Sequence, residues 1–309
     1  MADWSFICVA DMQPGSPRSF RYNPSWQKNW EVARRQIVAA RPDLLLVAGD
    51  LTRDGSIHPY ELEAMKADLA SLPFPVHAVP GNMDTGNKHT RIDCPFKRLG
   101  QAPDVELNVT SDQLRQFART VGPLWWSVDH KDVRFSGFAD VVVNSGLPEE
   151  NAFWRWAEGQ AARPRARFHI WVMHYSPFAD TPDEPDWRVD DPANYLNWYF
   201  CISAPGRARL MGLFTATGAT RVISGHIHCR RVRRAGSIDF EIAPATSFAQ
   251  WPDRWPDGDA RLGFMRYDVS AAGIDPVFVP LAESFKLQGY GPGGHPARRL
   301  RDYSLAWEK

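Results

Sequence analysis

Asp43-Leu44-Leu45-Leu46-Val47-Ala48-Gly49-Asp50 reads as a strand that stops abruptly on a glycine and a carboxylate. Its apolar run has no polar alternation, which suits a parallel strand covered on both faces. Upstream, Trp4 to Ala10 forms a second apolar strand that ends at Asp11. An amphipathic helix near Trp26 to Arg41 follows it, with Trp30, Val32, Ala33, Ile37 and Val38 apolar. Downstream, a helix near Tyr60 to Leu72 leads into the strand Pro75 to Pro80, which ends at Gly81-Asn82. The order is βαβαβ, which implies a parallel sheet with right-handed crossovers. In such sheets ligands gather at the carboxyl ends of the strands. Asp11, Asp50 and Asn82 are all placed there.

The second half repeats the pattern more loosely. Thr85 to Pro123 is rich in loop signals and is expected to cover the site. Strands resume at Trp125 to Val128 and Val133 to Phe138, and a helix is expected near Asn151 to Ala162. The strand Phe168 to Met173 delivers His174. A Pro- and Asp-rich insertion runs from Pro177 to Pro192. A helix near Gly206 to Thr217 precedes the strand Arg221 to Ser224, which delivers His226 and His228 in Ser224-Gly225-His226-Ile227-His228. The remainder reads as a β-meander with strands at Phe240 to Ile242, Phe264 to Val269 and Val277 to Val279. No internal repeat or linker is visible. One domain over residues 1–288 and a tail over 289–309 are expected.

Composition narrows the function. The chain has 309 residues, 44% hydrophobic, ample for a large core. Its 36 basic and 36 acidic residues give a formal net charge of zero. No global pull toward nucleic acid or an anionic membrane follows. No stretch approaches the roughly 20 apolar residues of a membrane span, and the start lacks a basic region before an apolar one. Cys8, Cys94, Cys201 and Cys229 are widely spaced with no CxxC pair, which favours a reducing compartment. A cytoplasmic protein is expected.

Five polar motifs stand at strand ends: Asp11-Met12-Gln13, Gly49-Asp50, Gly81-Asn82-Met83-Asp84, Met173-His174 and Gly225-His226-Ile227-His228. Singly, His174 would be a core or loop histidine and Asn82 a turn residue. Together they offer oxygen and imidazole donors for two neighbouring divalent ions about 3.5–4 Å apart that share a carboxylate. Asp50 is the best bridge. Asp11 and Gln13 lie two apart, as do His226 and His228, so each pair faces one way on an extended segment.

The chain resembles the calcineurin-like metallophosphoesterase family over residues 4–280, whose pattern is DxH, GDxxD, GNH[DE], a lone His and GHxH. The resemblance implies an α/β fold: a four-layer α/β/β/α sandwich of two mixed sheets. It implies one metal held by Asp11, Gln13, Asp50 and His228, and another by Asp50, Asn82, His174 and His226. The implied reaction is attack of a metal-bound hydroxide on a phosphomonoester or phosphodiester, with a phosphorylated molecule as substrate.

Three departures shape the expectation. Gln13 stands where the family usually has His, as in a branch similar to calcineurin-like phosphoesterase domain-containing protein 1, which is linked to protein serine/threonine phosphatase activity. An oxygen donor there favours Mn or Fe over Zn, with Zn and Mg as the alternatives. Met83 replaces the His that in the family protonates the leaving alkoxide or holds the substrate, and a thioether cannot donate a proton. General acid help is worth about 10²–10⁴-fold, so poor leaving groups should suffer most and aryl esters and some diesters least. His89, nearby in sequence, is a candidate surrogate acid beside the plainer reading of an exposed loop histidine. Arg53 takes the usual acidic position. It either grips substrate phosphate or pairs with Asp54 or another acid on the surface, and the pairing is favoured. Asp84, which in the family orients the missing His, is expected to steady a metal ligand from behind. Asp54 and Asp140 are weaker candidates for the same work.

Two features invite other functions. Arg230-Arg231-Val232-Arg233-Arg234 directly follows the histidine pair and reads either as an anion contact or, preferably, as a solvated strand entering a turn at Ala235-Gly236. Trp187, Trp198, Trp251 and Trp255 lie in proposed loops and suggest either an aromatic wall for substrate or ordinary packing. A non-catalytic scaffold of the same fold, binding a protein partner, is the rival to an enzyme. Loss of the His at Met83 suits it, and retention of all seven ligand positions does not. Nucleic-acid binding is not favoured at zero net charge.

Overall fold

The computed structural model describes residues 3–19, 21–88, 108–187, 195–250 and 254–286. Two mixed sheets face each other. The first has five strands in the order β11-β10-β1-β2-β3, and the second has six in the order β4-β5-β6-β7-β9-β8. In the first, β1 (Trp4–Val9), β2 (Leu44–Ala48) and β3 (Val76–Val79) run parallel, while β10 (Gly263–Val269) and β11 (Ile274–Pro280) are antiparallel. In the second, β5 (Val133–Phe138), β6 (Phe168–Val172), β7 (Arg221–Ser224) and β9 (Ile238–Ile242) run parallel. Antiparallel β4 (Trp125–His130) and β8 (Arg231–Ala235) form the edges.

The unbroken apolar runs follow from this layering. Side chains alternate along a strand. Phe6, Cys8, Leu44 and Leu46 therefore point inward, where they meet Phe135, Ile170, Val172 and Ile223 of the other sheet. Ile7, Val9, Leu45 and Val47 point outward, where they meet Trp30 and Ile37 of the helix Pro24–Ala40, Leu62, Met65 and Leu69 of the helix Pro59–Ala70, and Phe117. Helices Pro148–Ala161 and Ala204–Thr217 cover the outer face of the second sheet through Phe153, Trp154, Leu210 and Phe214. These layers are the expected four, α/β/β/α.

Two expectations need correction. The stretch 85–123 is not all loop: Ser111–Thr120 is a helix. Its start is a reciprocal cap, with Thr110 Oγ1 accepting from Gln113 N at 3.3 Å and Gln113 Oε1 accepting from Thr110 N at 3.0 Å. The C-terminal strands are not one meander. β8 and β9 form a hairpin at the edge of the second sheet, while β10 and β11 join the first beside β1. Burial explains the split, because Tyr267 and Met265 complete the inter-sheet core against Phe6 and Cys8. After the insertion, a helix at Tyr195–Phe200 follows residues that lie outside the described set. His89, Cys94, Trp251 and the tail 289–309 also lie outside it.

Candidate metal centre

β1, β2 and β3 from one sheet and β6 and β7 from the other end on a common polar cluster. The chain leaves these strands by sharp turns. Asp11, Gln13, Asp50, His226 and His228 all adopt positive φ, between 42° and 74°, where L residues seldom sit. Such conformations persist where surrounding structure fixes them, and they concentrate at functional sites. Gly81 shows how tight the space is: a Cβ there would lie 2.1 Å from Asp50 Oδ1 and 2.8 Å from His174 Nε2.

Two donor groups result, Asp50 with His174 and His226, and Asp11 with Asp50 and His228. Within each, the donor atoms lie within 4.8 Å of one another, and all are buried. Asp50 belongs to both. Its Oδ1 lies 3.2 Å from His174 Nε2, and its Oδ2 accepts from Gln13 Nε2 at 2.8 Å. Asn82 Oδ1 stands 3.0 Å from His174 Nε2, and His226 Nδ1 stands 3.2 Å from it. On the other side, His228 Nε2 lies 3.3 Å from Asp11 Oδ1.

Each imidazole is oriented from behind. His174 Nδ1 lies 2.9 Å from the Ala48 carbonyl, His226 Nε2 3.0 Å from that of Tyr199, and His228 Nδ1 2.8 Å from that of Phe248. Only a ring N–H satisfies a carbonyl, so in the neutral ring the opposite nitrogen is the one that can offer a lone pair to an ion. This is the second layer that metal-binding histidines generally carry. The Tyr175 ring packs on His226 at 4.1 Å between centroids. These carbonyls and Tyr175 were not found from sequence. A carbonyl has no side-chain signature, and Tyr175 is marked only by following His174.

Electrostatics describe a site short of positive charge. Burial opposes a charged His174, yet the Asp50 carboxylate overrides it and pushes the imidazole up to about 10. Asp50 is likewise disfavoured by burial, but His174 holds it down at about 2. His226, buried beside charged His174, goes well below its ordinary value. A proton thus sits where several anionic donors converge, as a cation would.

The supporting acids divide by what they touch. Asp84 accepts from the Leu51, Thr52 and Gly81 amides at 3.1, 3.0 and 2.9 Å, tying the Asp50 turn to the Asn82 turn. Asp140 Oδ2 accepts from the His174 and Tyr175 amides at 3.1 and 2.5 Å. Both carboxyls are raised to about 7, first by burial. Asp54 touches no ligand and instead pairs with Arg21 at 2.5 Å.

That pairing corrects the reading of Arg53. Its guanidinium lies over the Trp26 ring at 4.7 Å, and Nη1 donates to Gln13 Oε1 at 3.0 Å. Gln13 therefore turns its nitrogen to the cluster. As an oxygen ligand its amide must rotate, which would leave N–H groups facing Arg53. Met83, where the family has His, puts its sulfur 3.4 Å from Arg21 Nη2 and 3.8 Å from Arg53 Nη1.

A calcineurin-like phosphoesterase family model matches residues 5–230, which include every turn that carries a metal-ligand candidate. The chain belongs to this family. No protein of curated function matches the sequence. Solved structures share the fold at low identity. A purple acid phosphatase PPD1 from yellow lupin is 12% identical with a TM-score of 0.61, covering 91% of this chain and 52% of that one. This chain therefore spans about half the lupin enzyme. GAP50, the anchor in the inner membrane complex of Plasmodium, is 15% identical with a TM-score of 0.54, covering 94% and 88%. A dimetal phosphatase from Danio rerio is 12% identical with a TM-score of 0.51, covering 91% and 100%.

The sequence-based alternatives resolve unevenly. Trp198 and Trp255 are buried in a cluster with Phe200 and Ile242, which is packing and not a wall. No helix among the described residues is long and apolar enough to cross a membrane.

Proposed function

We propose that this chain is a dinuclear metal-dependent phosphoesterase acting on a phosphorylated substrate. The observation that carries this is Asp50, which belongs to both donor groups. Asp11, Asp50, His228 and a rotated Gln13 would hold one ion, and Asp50, Asn82, His174 and His226 the other. When bound, the ions supply Lewis acidity, lowering the pKa of water and neutralising phosphate charge. The chain's own part is to fix the donors. The carbonyls of Ala48, Tyr199 and Phe248 set the imidazole tautomers, and Asp84 and Asp140 hold the backbone that carries Asp50 and His174. Oxygen-rich donors at the first site favour Mn or Fe. Met83 offers no proton, so substrates with good leaving groups are favoured. A cytoplasmic setting is part of the proposal, supported by the free, buried thiols Cys8, Cys201 and Cys229.

The test is turnover of an aryl phosphomonoester and an aryl phosphodiester by metal-stripped protein given Mn²⁺, Fe²⁺, Zn²⁺ or Mg²⁺. Asp50→Asn and His174→Ala should lower both metal content and turnover by more than the roughly 100-fold typical of an outer-shell change. Full metal occupancy with no turnover on either ester would sink the enzyme reading. It would turn attention to a scaffold binding a protein partner, a role in keeping with the Plasmodium anchor of like fold.

A further inference from the structure

Arg53 is a cation without an acid. Among the described residues no carboxylate lies within ion-pair distance of it, whereas neighbouring Arg21 is neutralised by Asp54 at 2.5 Å. Among the described residues its buried Nε has no hydrogen-bond partner, and its sole oxygen acceptor is Gln13 Oε1 at 3.0 Å. If Gln13 turns that oxygen to an ion, the guanidinium keeps no protein oxygen. The position is nevertheless well built. Arg53 lies over Trp26 at 4.7 Å, Trp26 stacks on Phe248 at 4.5 Å, and Phe248 packs against His228 at 4.4 Å. The fork is thus fixed one side chain away from the metal-ligand cluster. A guanidinium stays charged at neutral pH. Holding an unpaired cation beside a second arginine is costly unless an anion joins them.

We propose that Arg53 is a substrate-binding residue that takes a non-bridging phosphate oxygen and selects dianionic phosphomonoesters over phosphodiesters. The inference rests on the phosphoesterase reading above. A monoester has three non-bridging oxygens and two negative charges. Two oxygens can serve two ions while the third meets the guanidinium. A diester has two non-bridging oxygens and one charge, and its remaining position carries an ester group that accepts poorly. A planar fork suits such an oxygen better than an ammonium does. Met83 belongs to the same arrangement, because its uncharged sulfur fills the space between the two guanidiniums.

The experiment compares full-length wild type, Arg53→Met and Arg53→Lys, each loaded with metal. Metal content, orthophosphate affinity by calorimetry, and kcat/KM for an aryl monoester and diester are measured. Arg53→Met should keep its metals, bind orthophosphate about 10- to 100-fold more weakly, and lose about 100-fold on the monoester, in the range of removing one preorganised charge-stabilising donor. Diester turnover should change by less than about 3-fold, and Arg53→Lys should fall between on the monoester. Unchanged orthophosphate affinity would overturn the proposal. So would an equal loss on both esters, or loss of metal, since Arg53 would then act by positioning Gln13. If wild type turns over neither ester, the phosphoesterase reading fails by itself, and the orthophosphate titration still decides the role of Arg53.

Discussion

Two groups of arginines flank the cluster and have opposite fates. The run Arg230 to Arg234 is dense in the sequence, yet every member has an acid. Arg230 meets Asp259 at 3.2 Å, Arg231 meets Asp180 at 2.8 Å and Asp257 at 3.1 Å, Arg233 meets Asp257 at 2.5 Å, and Arg234 meets Asp239 at 3.7 Å. Arg53, a single residue next to an aspartate, has none among the described residues. Local sequence suggested the reverse for Arg53, because Asp54 is its neighbour. Successive residues on a turn face different ways, and Asp54 turns inward to Arg21. Charge density along a chain therefore says little about free charge. What counts is whether distant segments bring acids to it.

The largest effect that could break this contrast is at Arg231. Its side chain is nearly fully buried, donates to the Ala179 carbonyl at 2.8 Å, and lies over Trp255 at 4.3 Å. If this arginine is structural, Arg231→Met should cost about 2 kcal/mol, within the range for hydrogen bonds to charged groups and discounted for its half-exposed partners. Urea denaturation gives the cost, and turnover of the folded variant should match wild type. A stable variant with impaired turnover would reverse the roles assigned to the two groups.

The same distinction governs what could be read without coordinates. β1 and β2 were legible as apolar runs, which layering demands, and β3, β6 and β7 as shorter apolar stretches, each followed by Gly or polar residues. The polar residues at their ends were legible as a metal set because few other uses need so many donors at strand ends. Distant partnership was not. Arg53 needed Trp26, which the sequence offered only as the start of a helix. The three carbonyls behind His174, His226 and His228 have no residue type at all. The C-terminal strands could be found, but not which sheet each would join, since either placement buries the same apolar faces. The helix Ser111–Thr120 was legible in principle, because Thr110-Ser111-Asp112-Gln113 is a capping signature. It was outweighed by the loop-like residues before it.

A smaller effect concerns pH. Burial pushes the carboxyls of Asp180 and Asp257 up, but hydrogen bonds and charge from Arg231 and Arg233 outweigh it, leaving both below 3.8. A carboxylate with a depressed folded-state pKa lends stability above its unfolded value and loses it as pH falls through the folded one. The Arg231→Met penalty should therefore be full at pH 7 and shrink below about pH 4, where the partners become protonated. Urea midpoints of both proteins across that range check this. A penalty unchanged at acid pH would show that Arg231 acts through the Ala179 carbonyl and the Trp255 face instead of its carboxylates.

The smallest effect is expected at Arg234, and it tests the contrast from the other side. Its side chain is 69% exposed and its approach to Asp239 is 3.7 Å. An exposed pair of this kind contributes about 0–1 kcal/mol, and salt screens it. Arg234→Ala should move stability by no more than about 0.5 kcal/mol, and leave both metal content and the monoester-to-diester ratio as in wild type. Orthophosphate affinity is the sensitive readout, because an arginine that steered anions to the site would weaken it on removal, more so at low salt. A salt-dependent loss in Arg234→Ala would mean that the run beyond His228 contributes long-range attraction even though each of its charges has a partner. Unchanged affinity would leave Arg53 as the arginine that distinguishes this site from a well-neutralised surface.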